Sequence, residues 1–175
     1  MVRRIIDSIL RHPACTLLAV WFVFVLMVPN VMLCFTEAMG LSDAFVNIVL
    51  PLGFYMILIS MFRRTGWAVW AMLPFSVLAA FQVVLIFLYG GSIIAVDMFL
   101  NVVTTNMSEA CELLRNLGTA IVTVVVLYLP PLVWAAVTLV RRKTLQAGAR
   151  RCFGRFGIVC FVIGVIGSAV NSAVD

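Results

Sequence analysis

Five long apolar runs dominate this sequence and restrict the folds open to it. Each has about twenty residues, roughly the length at which an α-helix crosses the ~30 Å hydrocarbon core of a bilayer. That core offers backbone polar groups no water, so each run must form a helix that satisfies them internally. The runs predict spans at Ala14–Phe35, Ala44–Phe62, Trp67–Tyr89, Leu117–Val140 and Phe156–Val174.

The overall composition agrees with this interpretation. Of the 175 residues, 65% are hydrophobic and only 11% are charged, and the mean hydropathy of +1.19 is far above that of a soluble globular domain. We therefore predict an all-α, polytopic membrane protein in which residues 1–175 form a single transmembrane domain.

The basic residues predict how the spans are oriented. Cytoplasmic segments next to spans are enriched in lysine and arginine, whereas acidic residues contribute little to orientation. Of the twelve basic residues, only Arg115 lies on the other side of the predicted spans. This asymmetry predicts a cytoplasmic N-terminus and an external Asp175. The eleven residues on the predicted inner side are Arg3, Arg4, Arg11, Arg63, Arg64, Arg141, Arg142, Lys143, Arg150, Arg151 and Arg155.

Charge and metal-ligand content exclude two other classes of function. The net charge of +5 comes from residues near span ends, where anionic lipid headgroups attract them, so we predict a membrane partner and no nucleic acid. His12 is the only histidine and the five cysteines form no Cys-x-x-Cys pair, which predicts no metal site in this chain. Cys34 and Cys111 both fall near the predicted outer face, and either a disulfide or two free thiols is compatible with that placement.

A polar stretch, DMFLNVVTTNMSEACELL, interrupts the apolar sequence after the third run. Asp97, Asn101, Thr105 and Glu109 recur every fourth residue and so share one face of a helix. We predict an amphipathic interfacial helix over about residues 94–115, on the outer side of the membrane. Such a polar face is either merely solvated or binds a ligand, since amide, hydroxyl and carboxylate groups together suit an amine or a sugar.

The order of the elements and the segment VDMFLNVVTTNMSEACELL resemble the bacterial phosphoethanolamine transferases, a family that includes lipid A modifiers and the colistin-resistance transferases. Its members have a five-helix N-terminal membrane domain followed by a periplasmic domain like alkaline phosphatase. The family pattern of Asn, then Thr four residues on, then Glu four further matches Asn101, Thr105 and Glu109. The resemblance implies that these three residues bind substrate, facing the active site and the lipid-binding region.

The resemblance also implies an activity for the full protein. It would transfer phosphoethanolamine from phosphatidylethanolamine to lipid A or another envelope glycan at the bacterial inner membrane, with Asp175 in the periplasm. The nucleophilic threonine and the zinc ligands of the family belong to the catalytic domain expected after Asp175. We therefore expect no catalytic residue, metal or cofactor in this chain, and no activity from it alone.

Two other functions remain open from the sequence. A small transporter or channel subunit would need ionisable residues within its spans or an internal repeat, whereas the mid-span polar residues, such as Asn47, Gln82 and Thr123, are uncharged. A structural membrane anchor would use the polar face to bind a protein partner.

Overall fold

The computed structural model describes residues 13–89 and 107–174. All regular structure in those two ranges is helical. The helices are α1 (Pro13–Thr36), α2 (Leu41–Met61), α3 (Thr65–Ala71), α4 (Leu73–Tyr89), α5 (Met107–Val140) and α6 (Ala147–Val174).

Four of these helices are long and apolar enough to cross a membrane. They correspond to the first, second, fourth and fifth predicted spans, so the prediction of an all-α membrane protein is confirmed. The main difference is at the fifth span, whose helix begins at Ala147 instead of Phe156. Three arginines that precede the predicted fifth span therefore lie on α6: Arg150, Arg151 and Arg155.

The third predicted span, Trp67–Tyr89, is not one straight helix. It is divided at Met72 into α3 and α4, which meet at a bend of 58°. Only the two helices together are long and apolar enough to cross a membrane. Pro74, the second residue of α4, has no N–H to donate to the carbonyl of Trp70, so the regular hydrogen-bond ladder is interrupted at the bend. Five straight spans are therefore not confirmed.

Helix α1 is the centre of the described bundle. Leu18, Phe22, Val25 and Leu26 are almost fully buried on it, and it contacts α2, α3, α4 and α5. Apolar side chains on the outward faces of α5 and α6 are exposed, as expected for surfaces that contact lipid.

Helices α2 and α6 form the most extensive helix pair in the described residues. They are antiparallel, and glycines allow their backbones to touch. A Cβ atom on Gly53 would lie 2.8 Å from the Gly157 carbonyl oxygen and from the Phe161 Cα atom. A Cβ atom on Gly164 would lie 2.7 Å from the Leu50 Cα atom. Close backbone approach of this kind is how helices associate in lipid, where the hydrophobic effect does not drive them together.

Proline residues within α1 and α2 leave carbonyl groups that side chains of neighbouring helices satisfy. Pro29 cannot donate to the carbonyl of Val25 in the preceding turn. The Tyr128 hydroxyl of α5 donates to that carbonyl at 3.3 Å, and Tyr128 is buried. Since an unpaired carbonyl is costly in the hydrocarbon region, this bond compensates for the proline and ties α5 to α1.

The same arrangement occurs where α2 contains Pro51. Its missing N–H leaves the carbonyl of Asn47 without its partner in the helix, and the Asn30 side-chain amide of α1 donates to that carbonyl at 2.9 Å. At both sites a side chain of a neighbouring helix therefore satisfies the carbonyl that a proline frees.

A double-mutant cycle can measure the compensation at Val25. We expect Tyr128→Phe to lower the free energy of unfolding by about 0.6 kcal/mol, and by no more than about 1.7 kcal/mol, the range typical of interhelical hydrogen bonds in membranes. Pro29→Ala restores a backbone N–H that can bond Val25, so Tyr128→Phe should cost less in that background. Denaturant titration of the purified chain in micelles measures all four species. Additive effects of the two substitutions would contradict the assignment.

The two ends of the bundle differ in charge. At one end, here called the basic end, the Leu145 N–H of the α5–α6 linker donates to the Arg63 carbonyl of the α2–α3 linker at 2.8 Å. At the other end, here called the acidic end, α1 ends and α2 begins, and both described acidic side chains, Glu37 and Asp43, lie there. Eight cationic residues lie toward the basic end: Arg63, Arg64, Arg141, Arg142, Lys143, Arg150, Arg151 and Arg155.

Candidate functional site

The three predicted substrate-binding residues lie at or beyond the start of α5. Asn101 and Thr105 are outside the residues that the structure describes, as is most of the predicted interfacial helix over residues 94–115. Glu109 lies in the first turn of α5. That helix runs without a break from Met107 to Val140, so residues 107–115 are continuous with the fourth span instead of forming a separate element. The backbone at Glu109 is thereby tied to the bundle.

The start of α5 lies at the acidic end. Helix α5 runs antiparallel to α1, because Tyr128 bonds to Val25 while Trp134 packs edge-on against Trp21 at a centroid distance of 5.7 Å. The C-terminal part of α5 contacts Gly66 at the basic end. Glu109 therefore belongs to the end of the molecule that also carries Glu37 and Asp43.

A hydrogen bond at this end joins the first turn of α2 to the last turns of α6. The Asn171 side-chain amide donates to an Asp43 carboxylate oxygen at 2.8 Å, in an exposed position. Asp43 also places negative charge in the first turn of α2, where the helix dipole favours it. The contact fixes where the end of α6 lies relative to the start of α2.

A second polar cluster lies deeper, between α1 and α2. Besides the bond from Asn30 to the Asn47 carbonyl, the Asn47 amide donates to the Asn30 carbonyl at 2.9 Å. The Asn47 amide also lies 3.4 Å from the sulfur of Cys34, which is in no disulfide. The side chain of Cys111 is outside the described part. These reciprocal bonds occupy both asparagine amides, so the cluster joins two helices and is not a ligand site.

The described residues supply no metal centre, since no group of three His, Cys, Asp or Glu side chains among them is placed to hold an ion. What they form is an apolar bundle with its charges segregated to two ends. Such a structure can anchor a chain in a membrane and hold a polar segment at one surface.

Comparison with known proteins identifies the family. The family model described as phosphoethanolamine transferase EptA/EptB, for the N-terminal domain, matches residues 51–173. The chain belongs to this family. It is similar, over most of its length, to the membrane domain of a phosphoethanolamine transferase, and its described helices suit that role. No curated protein and no solved structure gives a significant match.

The matched range bears directly on the candidate site of this transferase domain. It begins at Pro51, within α2, and includes the polar segment with Asn101, Thr105 and Glu109. It leaves out α1, although α1 is the centre of the described bundle.

Sequence reasoning missed the polar contacts that organise the acidic end. The sequence marks Asn47 only as an uncharged mid-span residue, and it gives no indication of the bond between Asp43 and Asn171. One signal was available at Asn47, because a proline four residues later, Pro51, frees its carbonyl. No comparable signal distinguished Asn30 as the donor.

Proposed function

We propose that this chain is the membrane domain of a bacterial inner-membrane enzyme that transfers phosphoethanolamine from phosphatidylethanolamine to lipid A or another envelope glycan. The observation that carries the proposal is the family match over residues 51–173, which spans the polar segment as well as the helices around it. The membrane domain anchors the enzyme and helps to form the lipid-substrate site.

The chemistry itself belongs to a periplasmic domain that we propose to follow Asp175. That domain supplies the threonine nucleophile, and zinc bound there activates it. The membrane domain contributes position, because holding the donor headgroup near the nucleophile removes an entropic part of the barrier. The bond between Asp43 and Asn171 supports this division of roles, since it fixes the exit of α6 at the same end as Glu109.

The activity is tested by expressing the full gene in a bacterial host without its own such transferase. We expect mass spectrometry of the extracted envelope fractions to detect phosphoethanolamine on lipid A or another glycan. When the cells contain radioactive phosphatidylethanolamine, the label should appear on that acceptor. The matched control is residues 1–175 expressed alone, which should insert and transfer nothing. Unlabelled lipid A and glycans in cells that contain the full protein would contradict the proposal.

The proposed orientation places the basic end in the cytoplasm and the acidic end in the periplasm. The segregation of cationic residues to one end of the described bundle supports it. Alkaline phosphatase, which is active only in the periplasm, should be active when fused after Asp175 and silent when fused after Lys143. The reverse pattern would overturn the orientation, and with it a periplasmic donor site.

A further inference from the structure

Two linkers at the basic end are held side by side. The main-chain bond from Leu145 to Arg63 connects them, and the Leu145 side chain is buried in the core with an exposed fraction of 5%. A second contact lies one turn away, where a Cβ atom on Gly66 would be only 2.6 Å from the Leu139 side chain. The start of α3 therefore touches the end of α5, and the two linkers cannot move apart independently.

The backbone of the α5–α6 linker is itself fixed. The Arg142 N–H donates to the Leu139 carbonyl at 3.0 Å and the Lys143 N–H donates to the Thr138 carbonyl at 3.1 Å. This pair of bonds is a Schellman motif, and Arg142 occupies its left-handed position with a φ of 49°. The cationic side chains of the linker are thus attached to backbone positions that these hydrogen bonds fix.

These linkers concentrate positive charge that no described acid opposes. Arg63 and Arg64 on one linker and Arg141 and Lys143 on the other are all exposed. The only described acidic side chains, Glu37 and Asp43, lie at the opposite end. Neighbouring cations repel one another, and an anion bound between them offsets this repulsion because each cation attracts it.

We propose that Arg63, Arg64, Arg141 and Lys143 form a headgroup site for an anionic phospholipid at the basic end. A lipid is the occupant that fits, because the four residues flank spans and so lie at the membrane surface, where cationic residues attract anionic headgroups. Guanidinium groups also match phosphate oxygens in a bidentate geometry. This site is at the opposite end from the proposed donor site, and it selects net negative charge, which zwitterionic phosphatidylethanolamine lacks.

The test is lipid binding to the purified full chain in neutral detergent, followed by native mass spectrometry and by the shift in melting temperature. We expect phosphatidylglycerol to bind and to raise the melting temperature, while phosphatidylethanolamine does much less. Replacing Arg63, Arg64 and Lys143 together by glutamine should weaken phosphatidylglycerol binding by about fivefold per charge, on the order of a hundredfold in all. The matched control replaces Arg150, Arg151 and Arg155, three cations at the same end but on α6.

Several outcomes would overturn the proposal. Equal losses in the two triple variants would mean that net charge alone attracts the lipid. Equal binding of phosphatidylethanolamine would show that the site does not select net negative charge. Displacement of the lipid by soluble glycerol phosphate at a similar concentration would show that the ligand is a free phosphate and not a lipid. The wild-type chain provides a test that needs no variant, because about 0.5 M salt should weaken phosphatidylglycerol binding strongly, and salt-independent binding would contradict a site built on charge.

Discussion

Gly53→Ala should lower the free energy of unfolding by about 1–3 kcal/mol, the cost typical of overpacking a close contact. The added methyl group would lie 2.8 Å from the Gly157 carbonyl oxygen and from the Phe161 Cα atom. Both are backbone atoms, so no side chain can turn away to make room and α2 must separate from α6. Gly53→Leu should separate the pair altogether. Unfolding of the purified chain by denaturant in micelles measures the effect.

Gly118 provides the matched control for this prediction. It lies in the long helix α5, and a Cβ atom there would have no neighbour within 4 Å. Alanine is a better helix former than glycine by about 1 kcal/mol, so Gly118→Ala should leave stability unchanged or raise it. The same chemical change is thus expected to lower stability at Gly53 and not at Gly118. A gain of stability in Gly53→Ala equal to that in Gly118→Ala would show that the backbones of α2 and α6 are not in contact.

The sequence predicted the spans well because their length and apolar composition are properties of each segment alone. It could not predict which of the prolines within the spans would break a helix. Pro29 and Pro51 each lie inside a continuous helix, whereas the helix axis bends just before Pro74. The residue type is the same, but at Pro29 and Pro51 a side chain of a neighbouring helix donates to the freed carbonyl. Tertiary contacts of this kind are not encoded in a local pattern.

Helix pairing shows the same limit at a second place. The last span has small residues four apart at Cys160, Gly164 and Ser168, a spacing that predicts a packing face. Gly164 does lie against the backbone of Leu50. Nothing in the sequence indicated that α2 would be the partner. Gly53, the glycine that contacts α6 most closely, stands alone in an apolar run, and its role becomes visible only when both helices are placed.

The candidate site depended on a different kind of inference. Four-residue spacing aligned Asn101, Thr105 and Glu109, but only the resemblance to a family distinguished a binding face from a solvated one. The family match now covers all three positions. Because the structure describes the backbone at Glu109 and neither of the other two residues, their role as substrate ligands stays a prediction.

In the full-length transferase, we expect Glu109→Gln to slow phosphoethanolamine transfer roughly ten- to a hundredfold. We propose that the carboxylate binds the ammonium group of the donor lipid near the membrane surface, where the lower dielectric strengthens the attraction. Loss of one charge-assisted hydrogen bond costs about 1.5–3 kcal/mol, which corresponds to that range of rates. Asn101→Ala and Thr105→Ala should also impair transfer, because the two side chains offer hydrogen bonds to phosphate or glycerol oxygens. Phosphoethanolamine appearing on the acceptor is measured by mass spectrometry.

Glu112→Gln is the control for charge and for helix stability. Both glutamates lie near the start of α5, where the helix dipole favours negative charge, but Glu112 is not part of the family pattern formed by Asn101, Thr105 and Glu109. If Glu109 acts only through helix stability or general charge, the two glutamine variants should have similar transfer rates. If it binds the donor, Glu109→Gln should be the slower enzyme, with equal expression and unchanged topology. Full activity in the Asn101→Ala, Thr105→Ala and Glu109→Gln enzymes would show that this polar face is merely solvated and binds no substrate. The family membership would stand in that case, because it rests on the match over residues 51–173 and not on these three residues alone.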